Sequence, residues 1–251
     1  MKKKLIICML AVIGFSTTNA QTYMGFDVGF HLPNAGGTLP GFEEINAAGD
    51  TTALLASLDI GLTVQLRAGK WINNNVAVGI NARMVTGLTK GDFEQYLAPG
   101  VTSVTTVSGK AFFVSPNITV STDNSASKSL FVRFGPQIGF GFNSKAEVEI
   151  AALETTVVQE FVKGSALGFN AALGGKTAIS DKMELFAELE LSSIMHKPKE
   201  LKITTTTPAG TTETTLTIVE TTGPSSSPTE IRTIAVPYSG FGLNVGVLIN
   251  L

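Results

Sequence analysis

Apolar residues alternate with small or polar ones along most of this chain, with a period of two. Met24, Phe26, Val28, Phe30 and Leu32 stand between Tyr23, Gly25, Asp27, Gly29 and His31. The same rhythm recurs over 54–68, 76–84, 112–120, 130–142, 167–174, 183–191 and 240–251. Successive side chains of a strand point to opposite faces, so each stretch predicts a strand with one wholly apolar face. On that reading Leu54 to Ala68 in even steps, Leu130 to Phe142 in even steps, and Met183 to Leu191 in odd steps share the apolar side. Alternation alone fits a soluble antiparallel sheet as well. The second face decides. It is mostly Gly, Ser, Thr, Asn and Gln with few charges, which suits the interior of a narrow closed barrel better than a water-facing surface.

The connections follow a pattern of their own. Gly69–Asn75, Thr122–Lys128 and Ala178–Lys182 are short and turn-like, whereas Pro33–Ala53, Gly87–Thr106, Asn143–Glu160 and His196–Pro237 are long. Strict alternation of short and long places all short turns at one end. An all-β, antiparallel up-and-down transmembrane barrel of eight strands is therefore the expected fold, with a ten-stranded barrel as the runner-up.

Composition sharpens the picture. The chain is 43% hydrophobic but only 15% charged, against roughly 25% charged in an ordinary soluble domain. Its longest apolar run, Leu5–Phe15, is too short for a spanning helix. That run follows Lys2, Lys3 and Lys4 and precedes a Thr18-Asn19-Ala20 tripeptide, so residues 1–20 read as a cleaved export signal. Cys8 falls inside it, leaving residues 21–251 as one cysteine-free domain. Loss of the three lysines takes the formal net charge from −2 to −5, which disfavours nucleic acid as a partner.

The segments Phe131–Phe142 and Ile179–Leu189 and the final alternating strand carry a family likeness. The chain resembles the small outer-membrane β-barrel proteins of Gram-negative bacteria, similar to the OmpA membrane domain and the broad porin family. The family's last strand usually ends in an aromatic residue, whereas this one ends in Asn250-Leu251. The resemblance implies residence in the outer membrane, contact with its lipid and lipopolysaccharide, and no fixed activity, since such barrels serve as pores, adhesins, anchors and a few enzymes.

Candidate chemistry is confined to a few places. Asp27, Asp59, Glu184, Glu188 and Glu190 share the lumen phase with Arg67, Arg83 and Arg133. Charges there survive paired or hydrated, so they predict a salt-bridge plug or a narrow wet channel favoured by the lumen glycines. Pro116 and Pro136 fall opposite one another if the turn between their strands is centred near 126, and each removes a ladder donor. A bulge or kink is the plain reading, and a lateral gap passing a lipid or hydrophobic solute the functional one. His31 and His196, with Ser192 and Glu190 nearby, outline a conceivable acyl-transfer site, but rim histidines are ordinarily solvated and the chain is read as no enzyme. Gly174-Gly175-Lys176-Thr177 lacks the leading glycine and helix of a phosphate loop. No cofactor or metal is implied.

Outside the membrane, 204–222 holds eleven Thr in nineteen residues around Pro208-Ala209-Gly210. Leu201–Thr207 and Thr211–Val219 predict the arms of an extramembrane hairpin within a surface loop at about 196–237. Glu147–Ile150 and Val157–Phe161 read as a similar continuation of strands five and six. A surface-exposed structure of this kind fits a protein or surface ligand as partner, making an envelope structural or binding role the leading expectation. A narrow pore or lateral conduit is second, and a lipid-modifying enzyme third.

Overall fold

The computed structural model describes residues 21–33, 38–45, 51–55, 58, 61–87, 90–98, 101–219, 230–232 and 235–251. The export signal read at 1–20 lies outside them. Eight strands form the wall: β1 (Thr22–Pro33), β2 (Gly61–Trp71), β3 (Val76–Gly87), β4 (Val101–Ser121), β5 (Lys128–Ile150), β6 (Ser165–Ser180), β7 (Met183–Lys197) and β8 (Gly240–Asn250). Each pairs antiparallel with its neighbours, and β1 pairs with β8, as in Phe26↔Val247, so the sheet closes on itself. Closure supplies every wall strand with two hydrogen-bonded neighbours, which a sheet in lipid requires.

The burial pattern is inverted relative to a soluble protein. Leu62, Leu66, Leu130, Leu167 and Leu189 are exposed, whereas Asp27, Gln65, Arg83, Glu188 and Asn244 are buried. Strands of 11 or 12 residues such as β1, β2, β3 and β8 are about the length that crosses a bilayer when tilted. The barrel therefore presents its apolar face to lipid. Among the described residues no helix is long and apolar enough to cross a membrane.

The three short turns and both ends of the described chain meet at one end. Leu251 N–H donates to Thr22 O, Asn250 N–H to Lys182 O, Trp71 N–H to Gln21 O, and Asn124 N–H to Asn74 O. At the other end β4 and β5 run on, with 21 and 23 residues. Their outer halves belong to a sheet above the barrel, in the order Glu230–Arg232, Gly210–Val219, Glu200–Thr207, Thr155–Val162, β5, β4, Lys90–Ala98. The Thr-rich arms form a hairpin (Thr207↔Gly210) outside the wall, so the eight-stranded reading holds and the ten-stranded one does not. The pairing of Glu147 with Val158 also matches the predicted continuation, although Thr155–Val162 is set off from β6 by Lys163 and Gly164 at positive φ.

Two expectations are corrected. Simple alternation assigns Phe142 to the lipid face, but it is buried inside. Gly141 adopts φ +65, and the β4–β5 register slips by one between Lys110↔Asn143 and Phe112↔Phe140. This bulge adds one residue to β5 and inverts its parity from there on. The second strand begins at Gly61, not 54. Thr51–Leu55 pairs instead with Thr38–Ile45 in a separate two-stranded sheet. Leu58, lipid-facing by its phase, donates its N–H to Pro237 O at 3.0 Å and packs with Val85, Val107 and Tyr238 in the core.

Candidate functional site: the barrel lumen

The lumen is filled in three layers. At the turn end, Tyr23, Trp71, Ala77, Phe131, Phe186 and Leu248 form an aromatic floor. In the middle lies a charged and amide layer. At the loop end, Val85, Ala111, Phe113, Phe142, Ala166 and Ile194 project from the wall and meet Leu58, Val236 and Tyr238 from the loops. Residues 236–239 reach this position because Val236–Pro237 pairs with the outer end of β7 before the chain enters β8. His196 stacks on Phe142 at 3.9 Å and donates Nε2–H to Lys163 O at 2.8 Å, which ties the plug to the turn above β6.

Six of the predicted charges meet in the middle layer. Glu188 and Glu190 project from β7 as its hubs. Arg67 donates to both Glu188 oxygens at 3.0 and 3.1 Å and reaches Asp27 at 2.6 Å. Arg133 donates to Glu188 at 2.8 Å, and Glu190 lies 3.4 Å from Arg83 and 3.5 Å from Arg133. Neutral side chains complete the shell. Gln65, Asn170 and Asn244 donate to Glu190 at 3.1, 2.6 and 2.6 Å. Such amides give the carboxylates partners beyond the guanidinium groups, the condition under which a buried ion cluster is tolerated.

The remaining predicted charges are placed otherwise. Glu184 stands apart from the hub and pairs with Lys176 at 2.8 Å, whose ammonium lies over the Trp71 ring and also donates to Asn124. Lys176 is a lumen charge that the alternation over 167–174 stops short of, yet it continues the same even phase. Asp59 lies outside the described residues.

The lumen glycines make room for side chains, not for solvent. A Cβ at Gly242 would lie 2.2 Å from the His31 ring, and one at Gly29 would lie 1.8 Å from Asn244 Oδ1. Both histidines are buried and held by neighbouring groups. His31 Nδ1 lies 3.0 Å from Arg83, while Ser192 accepts from Arg83 at 3.0 Å and donates to Gln137 at 2.8 Å.

Pro116 and Pro136 stand where the turn geometry put them. The β4–β5 pairs Val114↔Ile138 and Ile118↔Phe134 share one register, which sets the two prolines opposite each other. Between those pairs the ladder is interrupted, while Ile80↔Pro116 and Phe169↔Pro136 remain paired on the outer sides. The physical reason is simple. Each proline would have donated to the other's carbonyl, and losing both donors removes that pair and the two adjoining ones. The strands stay close all the same, since a Cβ at Gly135 would lie 2.0 Å from Pro116 O.

No protein-family model matches the chain, and no curated protein does. Solved structures do. The barrel is similar to a major outer membrane protein of Thermus thermophilus, at 10% identity and a TM-score of 0.51, over 93% of this chain and all of that one (100%). It also aligns with neisserial surface protein A at 11% identity and a TM-score of 0.41, over 92% of this chain and 98% of that one. The fold is that of the outer-membrane β-barrel proteins.

Proposed function

We propose that this protein is an outer-membrane anchor that holds a β-sheet outside the bilayer for binding a macromolecular partner. The observation that carries this reading is the continuity of wall and extramembrane sheet. β4 and β5 pass through both without a linker, from Val120↔Val132 in the wall to Val104↔Glu149 above it. A display surface built this way is rigidly oriented relative to the membrane. Its Gly210–Val219 arm is covered by a described strand only over Thr217–Val219, so its outer edge from Gly210 to Leu216 offers main-chain groups for β-augmentation. The filled lumen leaves the loops as the place for function.

Cells carrying the full protein or a deletion of 200–222 provide the test. Loss of adherence to host or neighbouring-cell surfaces, with heat-modifiability of the barrel retained, is expected. Unchanged adherence together with altered solute permeability would overturn the reading.

The interrupted ladder at Pro116 and Pro136 favours a second reading, a lateral conduit for an apolar solute. Threonine at both positions would then reduce uptake of such a solute, and unchanged uptake would dismiss it.

A further inference from the structure

Between the aromatic floor and the charge layer lies a cavity of about 20 Å³. Arg67, Arg133 and Lys176 line it, together with Trp71, Tyr23 and Thr119, and no carboxylate does. Their acidic partners Asp27, Glu188 and Glu184 stand outside the lining. Arg67 spends its donors on Asp27 and Glu188. Arg133 does not. Only its Nη2 reaches Glu188, while Nε and Nη1 have no acceptor. Trp71 Nε1 also has none, although Arg133 is 2% and Trp71 5% exposed.

We infer that this cavity binds a single monatomic anion of chloride's size. The unmatched groups are a guanidinium Nε–H, an Nη1 with two hydrogens, and an indole N–H, all donors. A water molecule must itself donate two hydrogens, and Arg67, Arg133, Lys176 and Trp71 in the lining offer them no side-chain acceptor. A halide accepts from whichever guanidinium edge and indole N–H face the cavity, and donates nothing. The cavity is large enough for one such particle and too small for a polyatomic anion with its own shell. Three lining cations and no lining carboxylate give it the required sign. The site is structural in character: it would satisfy buried donors at the foot of the charge layer.

Trp71 is the protein's one tryptophan, and it supplies the reporter. Purified protein in lipid vesicles would be titrated with bromide against gluconate at constant ionic strength. Saturable quenching of Trp71 emission that chloride competes away is expected. Arg133→Lys, which keeps a cation for Glu188 but removes the Nε and Nη1 donors, should weaken it by about tenfold or more. Quenching that rises linearly with bromide, or that Arg133→Lys leaves unchanged, would overturn the proposal. Wild-type crystals grown in bromide decide the matter even if that variant fails to fold. An anomalous peak between Arg133 and Trp71 is expected, and a water there without anomalous signal would contradict it.

Discussion

β4 and β5 pass through two environments, and their faces are read oppositely in each. In the wall, Phe134 and Val132 face outward while Arg133 and Phe131 are buried. Above it, Lys145 and Glu147 face outward and pair at 2.7 Å, while Ala146 and Val107 are buried with Phe161 and Leu201. The period of two is common to both regions. What changes is the solvent on the outside: lipid rewards apolar groups there, and water rewards charged ones. The bulge at Gly141 keeps one continuous inner face while the residue parity of β5 inverts across it. A strand pattern thus identifies a face, and only the chemistry of that face identifies what it meets.

The contrast can be broken at several depths. Glu188→Ala should cost the most, about 3–5 kcal/mol, because it leaves Arg67 and Arg133 buried beside an unfilled partner position. Glu147→Ala in the exposed Lys145 pair should cost less than about 1 kcal/mol. Urea unfolding in vesicles, followed by Trp71 emission, measures both. Equal costs would mean that the two regions are not electrostatically distinct.

Pro116→Thr combined with Pro136→Thr tests the wall itself. Each restores one ladder donor, so the double variant should gain roughly 2 kcal/mol and add protected amides by hydrogen exchange at 116 and 136. A stability loss would mean that the interruption is required for packing. The junction between the regions rests on Gly141. Alanine there must adopt φ +65, at a cost of about 1–2 kcal/mol, and an unchanged unfolding midpoint would argue against a bulge.

The smallest effect belongs to the turn end. Asp123, partly exposed in the turn, is held below the usual aspartate range by the hydroxyl and backbone N–H of Ser125. Its folded-state value is depressed, so its contribution is complete above the ordinary aspartate range and is lost as pH falls through the folded value. Asp123→Asn should lower stability slightly at neutral pH and flatten the acid side of the curve, converging with the unaltered protein below the folded value. An acid limb as steep as that of the unaltered protein would contradict this origin.

Much of this architecture was legible in the chain. Strand number, closure and the split between short and long connections follow from face chemistry and spacing. So does the opposition of Pro116 and Pro136, because a tight turn fixes register for several residues on either side. What escaped has local causes. Phe142 changes face through a single left-handed glycine, and Gly139-Phe140-Gly141 does not say which glycine bulges. Leu58 continues the alternation of its strand but is captured by Tyr238 and Val85, a contact set by residues far away in sequence. The lumen charges can be assigned by phase, yet their partners cannot. Gln65, Asn170 and Asn244 donate to Glu190 at shorter distances than the arginines reach it, and nothing in an uncharged lumen residue marks it as a carboxylate's partner.

An aromatic floor, a charge layer and an apolar plug close the lumen. Conductance of the purified, heat-modifiable protein in planar bilayers tests this closure most directly. A closed lumen gives a flat baseline at moderate voltage, and it stays flat when Glu188 and Arg133 are both replaced by alanine, because the floor and the plug remain. Regular ohmic steps from the wild-type protein would contradict it.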